Sequence, residues 1–225
     1  MVNNQSADEP PKDCDLCPRL VEFRNANIET YPEYFNGAVP PFGSHDAAFL
    51  VVGLAPGLQG ANQTGRPFTG DYAGDLLYAT LEKFGFSNGK YASSPDDGLE
   101  LRHTAITNAV RCVPPQNKPI GVEIRTCRSF LANQIRSMNN LQAILCLGRI
   151  SHESTVAALG LRQKDAPFSH GAKHKVPGAA FSLFDSYHCS RYNTNTRRLT
   201  VAMFEEVFAA ISRDLEAHGF APAPA

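Results

Sequence analysis

No uninterrupted apolar run in this sequence approaches the roughly 18 residues that a membrane-spanning helix requires. Residues 1–13 are polar, acidic and proline-containing, and they have neither the basic segment nor the apolar segment of a signal peptide. An internal repeat is also missing. We therefore expect a cytoplasmic protein that is not attached to a membrane, with loose tails over residues 1–13 and 218–225.

The chain also lacks an excess of charge of either sign, because its formal net charge is −1. It has no global attraction to nucleic acid, so any contact with DNA has to come from a local patch. One patch lies between Arg162 and Arg198, where seven lysines and arginines outnumber two aspartates. On charge alone, this patch fits an ordinary solvated surface equally well.

The length of 225 residues and the hydrophobic content of 43% predict one domain with a well-buried core, over residues 14–217. Apolar segments of strand length occur at 48–53, 103–110, 142–148 and 180–187. Segments with helical signals occur at 72–86, 123–138, 151–159 and 200–217. This alternation predicts a three-layer α/β/α fold with a central four-stranded, mainly parallel sheet. Ligands then belong at the carboxyl ends of the strands.

The sequence contains six cysteines. A reducing compartment argues against structural disulfides and favours metal binding or catalysis. Cys14 and Cys17 form a C-x₂-C pair, and Cys112 and Cys127 are separated by 14 residues. Four such thiolates suit either tetrahedral zinc or a [4Fe–4S] cluster, and their spacing does not choose between the two.

Three further segments carry the remaining chemistry: residues 53–57 (Gly-Leu-Ala-Pro-Gly), residues 65–71 (Gly-Arg-Pro-Phe-Thr-Gly-Asp) and residues 188–193 (His-Cys-Ser-Arg-Tyr-Asn). Together with the four cysteines, and in this order, they resemble the uracil-DNA glycosylase superfamily. Within it, the sequence is most similar to the type-b (family 5) iron–sulfur enzymes of bacteria and archaea. The resemblance runs from Cys14 to about residue 210, which is nearly the whole chain.

The resemblance implies a monofunctional DNA glycosylase of base excision repair. Such an enzyme flips a base out of the DNA and hydrolyses the N-glycosidic bond of uracil, and of other deaminated bases such as hypoxanthine. It also implies a [4Fe–4S] cluster held by Cys14, Cys17, Cys112 and Cys127. We expect a monomer whose partner is uracil- or hypoxanthine-containing DNA.

Two residues receive catalytic roles from the resemblance. Asp71 is expected to orient the attacking water, because residues 54–57 lack the polar side chain that most members of the superfamily carry there. His188 matches the histidine that donates a hydrogen bond to the departing base. Cys189 departs from the family pattern, since it stands where the usual His-Pro-Ser motif has proline.

Other residues receive binding roles. Phe68 matches the ring on which the extruded base stacks, and Asn108 matches the amide that reads the base edge by donating and accepting at once. Backbone amides at Gly53 and Ala55 are expected to bind the base oxygens. The residues expected to contact DNA are Ser190, Arg191, Tyr192, Arg197 and Arg198, and either Arg191 or Tyr192 is expected to fill the vacated base stack.

Three alternatives remain at this point. A type-a (family 4) enzyme, which is narrower in its preference for uracil, needs an acidic residue in the first motif that is absent here. A relative that bonds covalently to DNA needs a basic loop histidine, and only His174 between two lysines resembles one. A non-catalytic nucleic-acid-binding protein with a metal cluster is the third. A product assay on uracil-containing DNA separates it from the enzymes.

Overall fold

The computed structural model describes residues 9–220. Its main sheet has four parallel strands at the centre, in the spatial order β5 (Thr104–Asn108), β2 (Phe49–Gly53), β6 (Ala143–Leu147) and β8 (Ser182–Ser186). Short antiparallel strands close both edges: β1 (Phe42–Gly43) pairs with β5, and β7 (Lys173–Lys175) pairs with β8. The predicted parallel sheet is confirmed, and six strands replace the expected four.

Helices cover both faces of this sheet, which confirms the three-layer architecture. On one face lie α3 (Tyr72–Lys83) and α7 (Val201–Ala217), and on the other lie α4 (Gly121–Ser137) and α5 (Arg149–Ala158). The smaller elements are α1 (Pro18–Thr30), α2 (Ala61–Thr64), α6 (Arg191–Asn195), a 3₁₀ turn at Pro115–Asn117 and a hairpin of β3 (Ser87–Asn88) with β4 (Glu100–Leu101). Within residues 9–220, no helix combines the length and apolar character that crossing a membrane requires.

Strand β2 shows why the sheet is buried on both faces. Phe49 and Val51 pack into the layer with α3 and α7, whereas Leu50 and Val52 pack into the layer with α4 and α5. Every residue of the strand is buried, as a continuous apolar run in a parallel sheet requires. Polar chemistry is therefore displaced to the loops at the carboxyl ends of the strands.

The described chain continues beyond both expected tail boundaries. The carbonyl of Lys12 accepts a hydrogen bond from the Ala38 amide at 2.8 Å, and the carbonyl of Asp13 accepts one from Arg24 at 3.1 Å. At the other end, the Phe220 amide donates to Leu215 at 3.0 Å and its ring packs against the core. These backbone contacts hold residues 9–13 and 218–220 to the domain; residues 1–8 and 221–225 lie outside the described residues.

Candidate active site

A cavity of ≈ 370 Å³ lies where β2, β5 and β8 end. Most of the residues predicted for the site line it: Ala55, Phe68, Asp71, Asn108, His188, Ser190 and Arg191. The remaining lining includes the small or apolar residues Leu54, Pro56, Gly57 and Ala61. Open α/β sheets bind ligands at this edge, so the three sequence motifs meet where a substrate belongs.

Phe68 forms a wall of this cavity and lies close to Gly53. Its φ of 54° is uncommon for a bulky residue, and its ring lies 6.0 Å from the His188 ring. A Cβ atom placed on Gly53 would come within 2.3 Å of Asn108 Oδ1 and 2.6 Å of Phe68 Cζ. Gly53 is therefore the residue that makes room for these two side chains, and it does not itself line the cavity.

A buried ion pair holds the loop that carries Phe68. Arg66 donates to both carboxylate oxygens of Asp97, at 2.8 and 2.7 Å. The two side chains are 6% and 1% exposed, and the hydrogen bonds from Arg66 hold the pKa of Asp97 well below its usual value. The guanidinium also lies over three aromatic rings, those of Phe42, Tyr78 and Tyr91. The loop is thus fixed before any substrate arrives.

Asp71 is both a helix cap and a cavity residue. Its Oδ1 accepts a hydrogen bond from the Gly74 amide at 3.0 Å, at the beginning of α3, which orients the carboxylate. Its Oδ2 has no hydrogen-bond partner in the described part of the chain, and a Cβ atom on Gly60 would come within 2.7 Å of it. One oxygen is therefore anchored, and the other is free to bind a ligand.

His188 follows β8 and lines the same cavity. Neither of its ring nitrogens is hydrogen-bonded within residues 9–220. Burial by the surrounding protein lowers the pKa of His188, while the charge of Asp71 acts in the opposite direction. Burial therefore favours the neutral form of the ring, which has one N–H to donate.

The turn that carries His188 is fixed although it lacks the family proline. The Cys189 thiol is fully buried and donates to the Ala73 carbonyl at 3.4 Å. The Asn193 side chain donates to the His188 carbonyl at 2.8 Å. Cys189 thus ties the turn to the first residues of α3, next to Asp71.

Two amide groups complete the cavity wall. Asn108 is buried at the end of β5, and its side chain makes no hydrogen bond to the described residues. The Ala55 backbone amide is likewise without a protein acceptor in this range. Asn117, which sequence reasoning missed, lines the cavity from the 3₁₀ turn, where it and Gln116 have φ values of 56° and 55°. The preceding prolines indicated a turn, but no pattern showed that the turn faces the cavity.

Of the residues predicted to contact DNA, Arg191 and Tyr192 lie on the short helix α6 beside the cavity. Ser190 caps α6 by accepting from the Asn193 amide at 3.4 Å. Tyr192 is 72% exposed, which suits a side chain that enters a base stack. Arg191 lies over the Tyr72 ring at 5.1 Å, and Arg197 is exposed just beyond the helix.

A second cleft adjoins the cavity and contains Arg149, which the sequence did not single out. Arg149 and Arg198 both line this cleft of ≈ 280 Å³, which shares Leu54 and His188 with the first cavity. Arg198 lies over the Tyr187 ring at 4.7 Å. Cationic side chains therefore flank the cavity on this side. The signal for Arg149 was its position two residues after the end of β6.

The four cysteines predicted to bind a metal group meet in one place, which we call the cysteine nest (Cys14, Cys17, Cys112 and Cys127). All four line a small cavity of ≈ 20 Å³. Helix α1 begins directly after Cys17, and Arg19 docks it on α4 through an ion pair with Glu123 at 2.7 Å. The nest thus joins the amino-terminal segment to the region that follows β5.

The chemistry of the nest fits a metal cluster. Burial raises the pKa of Cys112 to about 12 and also raises the pKa values of Cys17 and Cys127. Neighbouring thiols raise these values further, so four thiolates require a cationic group between them. Arg111 lies beside the nest and is 1% exposed, and its Nε and Nη1 atoms have no hydrogen-bond partner among the described residues. Such a buried cation suits an anionic metal–thiolate group.

Another set of possible metal ligands lies elsewhere, at His152, His174 and Asp185. His152 Nδ1 is 2.7 Å from Asp185 Oδ1, and its Nε2 is 2.8 Å from the Ala166 carbonyl. His174 Nε2 is 3.2 Å from Asp185 Oδ2. Hydrogen bonds therefore occupy both ring positions of His152, and the set ties β8 to α5 and β7. His174 is on a strand within this set, which does not suit a histidine that bonds covalently to DNA.

The fold and this cavity indicate the class of the protein. Comparisons with known proteins identify the family. The model of the Uracil DNA glycosylase superfamily matches residues 40–212. The Type-5 uracil-DNA glycosylase of Thermus thermophilus is 43% identical over 89% of this chain and 93% of that protein. That of Pyrobaculum aerophilum is 38% identical over 89% and 88%. The Type-4 uracil-DNA glycosylase of Pyrobaculum aerophilum is 30% identical over 82% and 81%.

The chain belongs to the uracil-DNA glycosylase superfamily and, within it, to the type-5 group. The higher identity to the type-5 relatives agrees with the absence of an acidic residue in residues 53–57.

Proposed function

We propose that this protein is a monofunctional DNA glycosylase of base excision repair that hydrolyses the N-glycosidic bond of uracil in DNA. The observation that carries the proposal is the cavity itself. A carboxylate with one free oxygen, a neutral histidine, an aromatic ring and an unpaired amide face one space of ≈ 370 Å³. The type-5 relatives, which carry the name of this activity, support it.

Base recognition follows from the walls of the cavity. A glycosylase has to extrude the nucleotide from the stack, which costs a few kcal/mol and least for a mismatched base. The extruded base stacks on Phe68, and the side chain of Asn108 reads its edge. The free Ala55 amide binds a base oxygen. The low cost at a mismatch favours uracil opposite guanine over uracil opposite adenine.

The chemical step divides between Asp71 and His188. Asp71 Oδ2 holds the attacking water and stabilises the positive charge that develops on the sugar. The C1′–N bond breaks with its electron pair leaving on the base, and the neutral His188 donates a hydrogen bond to the base oxygen as that charge appears. Water adds to C1′, and its proton goes to Asp71 before it returns to solvent.

The surface around the cavity positions the DNA. Tyr192 or Arg191 fills the vacated stack, since both project from α6 beside the cavity mouth. Arg197 and Arg198, with Ser190, bind phosphates on one side of the extruded nucleotide, and Arg149 adds a further cation. Phosphate contacts of this kind fix register and carry no sequence information, which suits an enzyme that searches for a base in any context.

The metal group that we propose for the cysteine nest is a [4Fe–4S] cluster. Its role is structural, because glycosidic hydrolysis contains no redox step. Held by four thiolates, the cluster would link residues 14–17 to residues 112–117. Asn117, at the end of the second segment, lines the cavity. Protein purified without oxygen should be brown and contain iron and acid-labile sulfide. A colourless protein with one zinc would refute this choice of metal.

The substrates extend, in our proposal, from uracil to deaminated purines such as hypoxanthine. Residues 54–57 have no bulky or polar side chain that would enforce a tight fit to a pyrimidine, and Ala61 adds little volume beside them. The protein is further proposed to act as a monomer in the cytoplasm. Release of uracil alone, with hypoxanthine intact at high enzyme excess, would argue for a type-4-like specificity.

The test is a product assay on labelled oligonucleotides that contain uracil, hypoxanthine, xanthine or ethenocytosine. Alkali cleaves the strand wherever a base has been removed, so each substrate is read separately. The Asp71→Asn variant serves as the matched control, because asparagine keeps the size of the side chain and can still cap α3. Uracil-containing DNA that stays intact with the cluster-loaded protein would overturn the proposed function.

A further inference from the structure

Arg111 is the most buried charged side chain next to the cysteine nest, and the described residues leave it largely without partners. It follows β5 and is 1% exposed. Its Nη2 donates to Gln134 Oε1 at 2.7 Å, a neutral acceptor. Its Nε and Nη1 atoms are buried with no hydrogen-bond partner in the described residues. A buried ion in this condition is strongly destabilising unless an opposite charge lies close to it.

The charges near Arg111 identify its missing partner. The groups whose negative charge acts on Arg111 among the described residues are Cys127 and Glu9. Glu9 is instead 3.3 Å from His45, whereas Cys127 accepts a hydrogen bond from the Arg111 backbone amide at 3.4 Å. The compensating negative charge therefore has to come from the nest.

Arg24 offers a comparison within the same region. It is also buried, but its guanidinium donates to the carbonyls of Cys14 and Asp13 at 2.8 and 3.1 Å. Its hydrogen bonds hold the amino-terminal segment in place. Arg111 holds no such segment with its side chain, so its burial needs another explanation.

An iron–sulfur cluster supplies that explanation. Four thiolates outweigh the positive charge of an oxidised [4Fe–4S] core, so the assembled group is an anion, and one-electron reduction adds another negative charge. Hydrogen bonds and nearby charges set the reduction potentials of such clusters. We propose that Arg111 is the charge partner of the cluster, stabilising the loaded nest and raising the cluster's reduction potential. This inference rests on the cluster proposed above.

The proposal separates the loaded and the empty protein. With the cluster bound, Arg111→Met removes a compensating cation, so the potential should become more negative. Iron should then pass to a chelator roughly ten- to a hundredfold faster, which is the size of one charged hydrogen bond. In the empty protein the same substitution removes an uncompensated buried charge, so the urea midpoint should rise. A residue that only fills space would lower both stabilities and leave the potential unchanged.

Two further variants control for volume and folding. Arg111→Lys keeps the charge and should hold the potential close to that of the unmodified protein. Gln134→Glu keeps Arg111 in place and gives it a carboxylate, so the potential should again become more negative. This second variant remains informative if Arg111→Met fails to fold.

The experiment is a redox titration of the reconstituted cluster, followed by electron paramagnetic resonance, with iron release and urea unfolding measured on the same samples. Iron and sulfide are assayed first in the unmodified protein. Their absence would overturn the cluster and this inference together. Normal loading with an unchanged potential in both Arg111→Met and Gln134→Glu would overturn the role of Arg111 alone.

Discussion

Two arginines, one behind the catalytic cavity and one beside the cysteine nest, are almost equally buried but differ in their partners. Arg66 is 5% exposed and Arg111 is 1% exposed. Arg66 has both oxygens of Asp97 and the Thr69 hydroxyl as acceptors, whereas the side chain of Arg111 has only Gln134 among the described residues. The described residues balance the first charge, and we propose that a bound cluster balances the second.

The difference follows from what each region has to do. The loop of Phe68 and Asp71 has to be in position when DNA arrives, because preorganised groups need no rearrangement during the reaction. In our proposal, the cysteine nest binds a cationic cluster core after synthesis and the assembled group is an anion, so an internal carboxylate beside Arg111 would take the cation that this anion needs. Substitutions in the loop of Phe68 and Asp71 should therefore affect the protein whether or not the cysteine nest holds a cluster.

The largest effect on stability that we predict comes from breaking the complete pair. Asp97→Asn leaves the Arg66 charge buried without its carboxylate, so the free energy of unfolding should fall by about 3–5 kcal/mol. Urea unfolding measures it. Asp165→Asn is the matched control: Arg162 binds both oxygens of Asp165 as well, at 2.6 and 3.0 Å, but both side chains are largely exposed. Its effect should be within about 1 kcal/mol; equal losses in both variants would contradict the role of burial.

Acid should weaken the same pair. The pKa of Asp97 is lowered in the folded protein from its usual value of 3.8, which the unfolded chain keeps. As pH falls towards and below 3.8, the unfolded chain therefore binds a proton that the folded protein does not yet bind. The stability that this carboxylate contributes is thus fully present above pH 3.8 and is lost progressively as pH falls towards the folded pKa. Urea midpoints between pH 5 and pH 2.5 should fall less steeply for Asp97→Asn than for the unmodified protein. Parallel curves would show that Asp97 is not responsible.

How much of the fold could be predicted from the sequence depended on the spacing of the apolar residues. The four central strands and α7 were predicted closely, because their apolar residues follow regular patterns. Helix α1 was missed, since two of its three buried residues are Arg24 and Asn27, which no hydrophobic period reveals. The predicted start of a helix at residue 151 was wrong: α5 begins at Arg149, and the Ser151 hydroxyl donates to the Val52 carbonyl at 2.6 Å.

The residues in and around the candidate site likewise fall into those that the sequence predicted and those that it did not. Motif residues such as Asp71 and His188 were predicted because the motifs that carry them resemble those of a known family. The Arg66–Asp97 pair joins residues 31 positions apart, and Arg111 looks like an ordinary basic residue before a cysteine. Both depend on tertiary contacts that one sequence does not display.

A smaller effect should follow from a substitution of Phe68, whose loop the Arg66–Asp97 pair holds in place. Phe68→Ala removes the ring on which we propose that the base stacks, a contact worth roughly 1–3 kcal/mol per base. The value of kcat/KM for uracil should therefore fall by about five- to 150-fold. Steady-state kinetics on one uracil-containing oligonucleotide, with melting temperatures as a check of folding, measures this. A change of less than about twofold would place the base elsewhere in the cavity.

The smallest effect concerns exposed charge. Neutralising Arg191, Arg197 and Arg198 together should weaken DNA binding nearly equally for all sequences. The slope of log K against log salt should become shallower by about 0.9 for each duplex phosphate that the protein no longer neutralises. Arg162→Gln is the control, because that arginine is already paired with Asp165. An unchanged slope in the triple variant would show that these arginines lie away from the DNA.

The central claim is that the free oxygen of Asp71 performs the chemical step in a cavity formed in advance. Single-turnover excision of uracil opposite guanine by cluster-loaded Asp71→Asn tests it most directly, with DNA binding measured alongside. The amide keeps the helix cap but loses the negative charge, so the rate should fall by about 10²–10⁴-fold while binding stays near that of the unmodified protein. A near-normal rate would contradict the account, because another group would then orient the water.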